Sequence, residues 1–478
     1  RAWRLRGRFR PAQGRAGWGI LAKGTHVVTE SAIVLAGYTS RRQALASTLS
    51  GLPPGPMRLQ KETSNLFRTR NPNPHHALDI SAFNHVLNID TERNTIEVEG
   101  MTHYADVISA SLQVGLMPKV VPQLKSITVG GAISGIGIES SSFRYGLPHE
   151  SVLEMDVLLA GGDVVTCTPD NAHQDLFFGM PNSYATLGYS LRLKLEAIPV
   201  KPYVQLTHLE FDNSAAFFAA IDKWSGEDID FLDGCVLQRH QHFLTIGRFV
   251  DEAPYVSDYT LLDIYYQSIP VRSEDYLTTS DYLWRWDTDW FWCSKNLYVQ
   301  SKPIRRLLGR KRLNSTTYQK IMRWNNRVGL TRRLNRMALI HTESVIQDVD
   351  IPASNAAEFL DFFHHDIGIL PIWVCPVRAR NIKQSFPLFP MSTASSYINF
   401  GFWDVVRTRR RKPRGHFNRM IEDKVTNFGG IKSLYSDVFF SHRAFWQAYN
   451  GPVYRELKAR YDPGGLLKDL YEKCVLRQ

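Results

Sequence analysis

The chain of 478 residues is poor in cysteine and contains no long apolar run. Its five cysteines are scattered, and no two of them have Cys-x-x-Cys spacing. This pattern disfavours a disulfide framework and a structural zinc site, so we expect no metal and a reducing, cytoplasmic environment. No stretch approaches the roughly 18 to 20 apolar residues that cross a bilayer, and residues 1–10 lack the apolar core of a secretory signal. Peripheral contact with a membrane is left as the alternative.

Two common nucleotide-binding patterns are missing from the most informative stretch, residues 128–151. It contains five glycines around a serine run, but neither Gly-x-Gly-x-x-Gly nor Gly-x-x-x-x-Gly-Lys-Ser/Thr. Glycines permit backbone conformations that a Cβ forbids, and successive N–H groups beside serine hydroxyls can surround an anion. The stretch therefore favours a loop that binds a phosphate, although a plain turn explains the glycines equally well.

The segments after this stretch read as strands. Residues 152–159 and 164–168 predict a hairpin closed by Ala-Gly-Gly-Asp at 160–163. Farther on, leucines at 191, 193 and 195 alternate with charged residues, which is typical of a half-buried strand. Together with the glycine–serine segment, this order resembles the flavin domain of the vanillyl-alcohol oxidase type, also called the p-cresol methylhydroxylase type. In that family the glycine–serine segment carries the FAD pyrophosphate.

One branch of the family is matched more closely, the delta(24)-sterol reductases, which saturate a side-chain double bond. The motifs that resemble this branch, in the same order, are Gly-Ile-Glu-Ser-Ser-Ser-x-x-Tyr-Gly at 137–146, Cys-Thr-Pro at 167–169, Asp-Leu-Phe at 175–177, Thr-Leu-Gly at 186–188, Gln-Asp at 347–348, Pro-Ile-Trp-Val-Cys-Pro at 371–376, Leu-Tyr-Ser-Asp at 434–437 and Tyr-Glu-Lys-Cys at 471–474. The resemblance covers roughly residues 57–475. It implies an α+β fold, with a two-subdomain FAD-binding domain of vanillyl-alcohol oxidase type and a cap domain whose antiparallel sheet is covered by helices.

We divide the chain accordingly. Residues 27–200 are expected to form the FAD-binding domain, 201–430 the substrate (cap) domain, and 431–478 a C-terminal segment that returns to the FAD domain. Within the cap, residues 204–249 and 344–403 each predict the order strand, helix, strand, strand, which indicates an internal duplication. Residues 1–26 are left as an unassigned basic segment. Eukaryotic members of the branch carry an N-terminal membrane segment that these residues do not match, and the chain begins at Arg1 rather than Met.

The resemblance also implies which residues bind the cofactor, FAD. The expected cofactor-binding residues are Lys61, Thr63, Ser64, Thr128, Val129, Gly130, Gly131, Ala132, Ile133, Ser134, Gly135, Ile136, Gly137, Ile138, Glu139, Ser140, Ser141, Thr186 and Gly188. Many relatives attach FAD covalently through a histidine in the first phosphate loop or a cysteine in the second. The corresponding residues 58–65 contain no histidine, and 101–166 contain no cysteine, so we expect noncovalent FAD.

Reduction of an isolated alkene requires a hydride on one carbon and a proton on the other, and a positioned acid can supply the proton. Tyr435 and Asp437 are the first candidates, because the returning C-terminal segment commonly faces the isoalloxazine in this superfamily. Glu139, inside the flavin motif, is the next. For each of these three a structural role is an equal alternative. The candidate substrate residues are Gln347, Asp348, Trp373 and Trp403, although Trp373 is better suited to the core than to a substrate contact.

The leading hypothesis is an FAD-dependent reductase of a sterol or isoprenoid-like lipid, with NADPH as the electron donor that the resemblance implies. The alternatives are an oxidase or dehydrogenase of an alcohol, sugar or lipid-linked substrate, and a peripheral lipid-binding protein without redox activity. Basic residues are concentrated in 302–336 and 407–414. Such runs suit an anionic membrane surface, a solvated helical face or a mobile lid. No recognition motif for nucleic acid accompanies them, and the sequence leaves the oligomeric state open.

Overall fold

The computed structural model of the chain describes residues 24–50, 57–60, 67–68, 76–328 and 340–477. These residues form three β-sheets flanked by helices. The strands are β1 Met57–Gln60, β2 His76–Asp79, β3 Val86–Asp90, β4 Thr95–Glu99, β5 Leu116–Pro118, β6 Val152–Leu158, β7 Val164–Cys167, β8 Tyr189–Pro199, β9 Tyr203–Phe211, β10 Phe231–Gln238, β11 Gln241–Val250, β12 Glu274–Thr278, β13 His341–Pro352, β14 Ile372–Arg378, β15 Ser396–Thr408 and β16 Ile431–Lys432. The helices are α1 Gly24–Ser50, α2 Tyr104–Ser111, α3 Val129–Ser134, α4 Ser142–Tyr145, α5 Gln174–Gly179, α6 Ser214–Ser225, α7 Tyr265–Ser268, α8 Thr279–Leu283, α9 Lys302–Leu308, α10 Ser315–Val328, α11 Ala356–Phe362, α12 His416–Asn427, α13 His442–Ala448, α14 Gly451–Tyr461 and α15 Leu470–Cys474.

The first large sheet has the order β3-β4-β8-β6-β7, and β5 pairs with the end of β8. On β8, Leu191, Leu193 and Leu195 are buried while the charged residues between them are half-buried, as the alternation predicts. The β6–β7 hairpin closes at Leu158 and Val164, where the sequence predicts it. Helices α2 and α3 pack against this sheet. The parallel pair β1–β2 forms a separate small sheet.

The second large sheet is antiparallel throughout, with the order β12-β9-β11-β10-β14-β15-β13-β16. Its two halves are the units β9-α6-β10-β11 and β13-α11-β14-β15, which have the same succession of elements. Within the sheet, the first unit has the strand order β9-β11-β10, and the second unit lies beside it with the reversed order β14-β15-β13. Strands β10 and β14 meet at the centre, and β12 and β16 lie at the two edges. The α+β fold class and the duplicated cap sheet predicted from the sequence are confirmed.

The two faces of this sheet have different neighbours. Ile372 and Val374 of β14 belong to an apolar cluster shared with residues of α6, α11 and α12. Trp373 and Cys375 point to the opposite face and join the core that continues into the first sheet and the aromatic connection, residues 282–292. Because the second face is covered by residues from distant parts of the chain rather than by the sheet's own helices, it is the face on which a shared site can form.

The C-terminal segment connects the two large sheets. It first adds β16 to the edge of β13, and α14 then packs on α5, which contacts β7 of the first sheet. Lys458 of α14 donates to the carbonyls of Thr186 and Leu467, at 2.8 and 2.7 Å. The predicted domain limits at 200 and 430 stay a prediction, with β16 lying just beyond the second limit. Among the helices that the structure describes, none combines the length and the apolar character needed to traverse a bilayer.

Candidate functional site

The glycine–serine segment begins with α3, whose first amides are already engaged inside the protein. The N–H groups of Val129 and Gly130 donate to the carbonyls of Thr102 and Gly100, each at 2.9 Å. A Cβ on Gly130 would lie 2.7 Å from the Gly100 oxygen, so glycine is needed for this close approach of helix and strand end. These two amides are therefore not available to a phosphate.

The amides that follow α3 are different. Among the described residues, the N–H groups of Ile136, Gly137 and Ile138 have no hydrogen-bond partner. All three residues are half-buried. Three successive unpaired amides are an arrangement that binds an anion. They are the part of the segment best suited to a phosphate.

Glu139, at the end of these amides, carries a buried carboxyl group. Its Oε1 accepts hydrogen bonds from Gln123 Nε2 at 2.7 Å and from the backbone N–H and hydroxyl of Ser140, both at 2.8 Å. Its Oε2 is buried without a partner among the described residues. Burial raises the pKa of Glu139 to about 7, against the lowering effect of nearby Arg285. The group can therefore hold or release a proton near neutral pH.

Arg285 links this carboxyl to the second sheet. It lies 2.9 Å from a carboxylate oxygen of Asp233 and 3.7 Å from Oε1 of Glu139. Asp233 also accepts from the indole N–H of Trp373, at 3.0 Å. The guanidinium stacks over the Tyr282 ring at 4.0 Å, which supports a desolvated cation. One buried arginine thus serves two carboxyl groups, one from the glycine–serine segment and one from β10.

Backbone contacts hold the glycine–serine segment against the second sheet at the same place. The N–H of Leu232 donates to the carbonyl of Ser140 at 2.7 Å, and the Cys375 thiol donates to the carbonyl of Glu139 at 3.0 Å. Leu232 lies on β10 and Cys375 on β14. The segment therefore docks on the two central strands, where the duplicated units meet.

A second polar cluster lies on the same face of that sheet. Gly401 of β15 pairs with Trp373 on one side and with Asp348 of β13 on the other. The indole N–H of Trp403 donates to the Tyr435 hydroxyl at 2.8 Å. Enclosure raises the pKa of Asp348 to about 7, against the lowering effect of its hydrogen bond with Tyr435. A carboxyl group and a phenol therefore share a position where a proton can be held and passed on.

Aromatic rings from the connection close this cluster. Phe291 stacks on Trp403 with ring centroids 4.1 Å apart, and Phe67 stacks on Trp290 at 5.2 Å. Phe67 also contacts the ring of Tyr435, at 5.8 Å. The structure packs these aromatic rings over the polar cluster. We call the three rings that cover Trp403 and Tyr435, those of Phe67, Trp290 and Phe291, the aromatic wall.

Comparison with known proteins identifies the chemistry. Residues 56–168 match the family model of an FAD binding domain. The delta(24)-sterol reductase of Homo sapiens is 28% identical over 81% of this chain and 75% of its own length. That of Arabidopsis thaliana is 25% identical over 84% of this chain and 76% of its own length. The delta(24)-sterol reductase homolog of Caenorhabditis elegans is 22% identical, with 81% and 77% covered. The chain is an FAD-dependent oxidoreductase. Its resemblance to sterol reductases of the p-cresol methylhydroxylase-type FAD family is confirmed.

Arg68 is a residue of the oxidoreductase that the sequence did not single out. It donates to the carbonyl of Leu434 and to Sγ of Cys474, the latter at 3.0 Å. Its Nε and second terminal nitrogen are buried without partners among the described residues. The guanidinium lies 4.9 Å from the centre of the Tyr184 ring, whose hydroxyl is likewise unpaired in the described part. Its only signal in the sequence is its position just after the expected first phosphate loop, 58–65.

These unpaired groups fit FAD. A diphosphate needs donors, which Arg68 and the amides of 136–138 provide, and a ribityl chain or flavin ring needs polar partners such as the Tyr184 hydroxyl. Buried polar groups normally have partners, so several unpaired ones indicate a bound polar molecule. The residues present are therefore compatible with an FAD that lies between the two large sheets.

Other predicted cofactor residues have structural partners. The hydroxyls of Ser134, Ser141 and Thr186 donate to the carbonyls of Gly130, Lys119 and Ser183, at 2.7, 2.9 and 2.7 Å. Thr128 caps α3 by accepting from the N–H of Gly131. Gly188 has φ +156°, and a Cβ there would lie 2.6 Å from Val157. Lys61, Thr63 and Ser64 lie outside the described residues.

The four candidate substrate residues and Asp437 do not all meet. Asp348, Trp373 and Trp403 lie on the site face, but the adjacent Gln347 points to the helix-covered face, where it donates to Asn418 at 2.7 Å. Asp437 forms an ion pair with Arg477 at 3.0 Å, apart from the Tyr435 cluster. Of the predicted catalytic candidates, Tyr435 and Glu139 thus belong to the shared face.

Proposed function

We propose that this oxidoreductase reduces a carbon–carbon double bond in a sterol or isoprenoid-like lipid, with noncovalently bound FAD and with NADPH as the electron donor. The observation that carries the proposal is the Asp348–Tyr435–Trp403 cluster beneath the aromatic wall, in a chain whose relatives are named delta(24)-sterol reductases. A proton donor inside an apolar enclosure is what the protonation of an isolated alkene requires.

Tyr435 is the proposed proton donor. Its hydroxyl accepts from Trp403 and hydrogen-bonds with Asp348, so it is fixed in orientation and has a second acid behind it. Transfer of the phenolic proton to one alkene carbon would leave a phenolate, which the Asp348 carboxyl can reprotonate when its pKa is about 7. FAD, when bound and reduced by NADPH, would supply the hydride that the other alkene carbon receives, and NADPH would leave as NADP⁺.

Glu139 has a different proposed role. It lies next to the amides of 136–138 and beside Arg285, so it is suited to orient the segment that holds FAD. The remaining predicted cofactor residues between 128 and 141, with Thr186 and Gly188, build the same segment and its support. We propose that Ile136, Gly137 and Ile138 provide the direct phosphate contacts.

The aromatic wall and its neighbours suit a lipid rather than a sugar. Four of these rings are buried, namely Trp286, Phe291, Trp292 and Trp403. Large rings of this kind exclude water and pack well against fused apolar rings or an isoprenoid chain. A lipid substrate is in turn compatible with a cytoplasmic enzyme that works at a membrane surface.

An anaerobic absorbance titration tests the proposal. The purified flavoprotein is titrated with NADPH and then given a delta(24)-unsaturated sterol. We expect bleaching of the flavin band by NADPH and its return with the sterol. Acid precipitation should release the flavin, because we propose noncovalent FAD. Flavin that NADPH cannot bleach, together with oxygen consumption on an alcohol or sugar, would favour the oxidase alternative instead.

Variants connect the titration to the cluster. Tyr435→Phe should keep bleaching by NADPH and slow the sterol-dependent return by about a hundredfold or more, the usual contribution of a general acid. Tyr298→Phe is the matched control, since Tyr298 is 82% exposed. An unchanged rate of return in Tyr435→Phe would exclude Tyr435 as the donor while leaving the overall reaction in place.

A further inference from the structure

The helices α9 and α10 expose an unusual number of apolar side chains. Ile304 and Leu307 of α9 are 38% and 83% exposed, and Ile321 and Trp324 of α10 are 37% and 57% exposed. In each helix the two residues are three positions apart, so they lie on one side of it. We call these four residues and the bases between them the α9–α10 face.

The chain segment that contains these residues carries charge of one sign. The sequence from 290 to 342 contains no aspartate or glutamate. Lys302, Arg306 and Lys320 are exposed on the two helices, and Lys311 and Arg312 are exposed in the connection. None of the five forms an ion pair within the part of the chain that the structure describes. Apolar and unpaired basic side chains therefore alternate on the same surface.

Buried contacts fix this face in position. Arg305 of α9 pairs with Asp289 at 2.5 Å, although it lies between two exposed residues of the helix. On α10, Ser315 donates to Asp287 at 2.7 Å and Tyr318 donates to the carbonyl of Thr288 at 2.8 Å. Both helices are thus anchored to the single turn 287–289. That turn continues directly into Trp290 and Phe291 of the aromatic wall.

We propose that the α9–α10 face docks on the surface of an anionic lipid bilayer. Leu307, Ile304 and Trp324 gain free energy only where they can leave water, and the interface of a bilayer provides such a medium. The unpaired bases are attracted by anionic headgroups at the same depth. A second copy of the chain is a poor occupant, because it would bring a like-charged face. A nucleic acid would match the bases but leave the aliphatic side chains in water.

This inference does not depend on the proposed reaction. It would nevertheless place the outer side of the aromatic wall at the membrane, with the wall's inner side over Trp403 and Tyr435. The exposed residues belong to neither the FAD segment nor the polar clusters. Membrane binding and alkene reduction can therefore fail separately.

Co-sedimentation with vesicles tests the inference on the full chain with bound flavin. The vesicles are phosphatidylcholine alone and phosphatidylcholine with phosphatidylserine. We expect binding to the anionic vesicles that is at least about tenfold stronger than to the neutral ones and that weakens with added salt. Absence of binding to anionic vesicles, or equal binding to both kinds, would overturn the proposal.

Paired variants separate the apolar part from the charge. Leu307→Ser combined with Trp324→Ser should weaken binding to anionic vesicles by about tenfold or more. The control is Ile382→Ser, which should leave binding unchanged, because Ile382 is 70% exposed but lies outside the α9–α10 face. Lys302→Glu with Arg306→Glu should weaken binding as strongly, whereas the same charge change in Arg409→Glu with Arg410→Glu should have little effect.

Two further readouts keep the result unambiguous. Each variant should retain its flavin absorbance and its unfolding temperature, since the changed side chains are exposed. A duplex oligonucleotide added as competitor should release no more protein from the vesicles than simple salt of the same ionic strength does. Full binding by the Leu307→Ser, Trp324→Ser variant, with displacement by the oligonucleotide, would assign the face to a polyanion and overturn the proposal.

Discussion

The indole N–H of Trp403 donates a hydrogen bond to the hydroxyl of Tyr435 across 2.8 Å. The contact joins β15 of the second sheet to the C-terminal segment, which also adds β16 to the edge of that sheet. It occupies one lone pair of the phenol and leaves the phenolic proton to Asp348 or to a substrate. Because both residues lie beneath the aromatic wall, the position of this proton is fixed by packing as well as by hydrogen bonding.

Replacing Asp348 by Asn should change the pH dependence of alkene reduction. The protonated carboxyl is the useful form, so in the unchanged protein the rate should fall as pH rises through about 7, the pKa to which enclosure raises this group. In the variant the rate of alkene reduction should be lower at low pH and should no longer fall as pH rises through about 7. Single-turnover rates between about pH 5 and about pH 9 measure it. A fall with the same midpoint in the variant would assign the titration to another group.

Gly401→Ala should disturb the same cluster from the backbone. A Cβ at this position would lie 2.5 Å from the Trp403 ring and 2.6 Å from Oδ1 of Asp348. Overpacking of this kind costs about 1–3 kcal/mol, and the shifted indole should slow the return of the flavin band. The control is Gly161→Ala, where a Cβ would meet nothing within 4 Å. Equal free energies of unfolding in urea for the two variants would show that the second sheet can shift to accommodate the added methyl group.

Asp350→Asn should make stability less dependent on pH. Burial raises the pKa of Asp350 to about 8, above the ordinary value of 3.8. The folded state therefore binds this proton more tightly, so its contribution is complete below about pH 4 and is lost as pH rises to about 8. The slope amounts to about 1.4 kcal/mol per pH unit at most for one group. Urea unfolding at about pH 5 and about pH 7 measures it. Asp228→Asn, at a highly exposed side chain, is the control.

Arg305→Ala should destabilise the protein far more than Arg306→Ala. The two arginines are neighbours in α9, but the first is fully buried against Asp289 and the second is exposed. Removing one partner of a buried ion pair leaves an uncompensated charge and costs about 3–5 kcal/mol. Changes at exposed sites are usually within about 0.5 kcal/mol. Denaturant unfolding compares them, and similar losses would mean that Asp289 finds another partner or a proton.

The five cysteines should react with thiol reagents only after unfolding. All are free, four are buried and Cys293 is half-buried. Burial raises the pKa of Cys293 and of Cys167 to about 12, so little thiolate is present at neutral pH. A colorimetric thiol titration should therefore count five groups in denaturant and almost none in the folded protein within minutes. A rapidly reacting thiol in the folded state would reveal local opening.

The sequence was sufficient for the features that repeat locally. Alternation along β8 and the succession strand, helix, strand, strand are written in neighbouring residues, so the two sheets could be predicted. The glycine–serine segment could be located in the same way, because its glycines and serines are neighbours in the sequence. Its chemistry was less accessible, because the amides of Val129 and Gly130 are used by carbonyls of Thr102 and Gly100, which only the folded chain brings near.

The polar residues on the site face of the second sheet could be predicted only in part. Gln347 and Asp348 are adjacent, and both faces of β13 are covered, so composition does not reveal which of the two residues meets the first domain. Arg68 contacts residues that are 366 and 406 positions away, and no local pattern records such a contact. Arg285 and Asp233 likewise form a pair that emerges from packing rather than spacing.

The short strand β16 has a consequence for how the protein is made. It covers the edge of β13 and introduces the residues that carry Tyr435 and the partners of Arg68. A nascent chain that has emerged as far as β15 can form most of the second sheet, but it has an open sheet edge and no phenol at the site. Emergence of the segment that starts at residue 431 would then protect the edge against aggregation and complete the site in a single step.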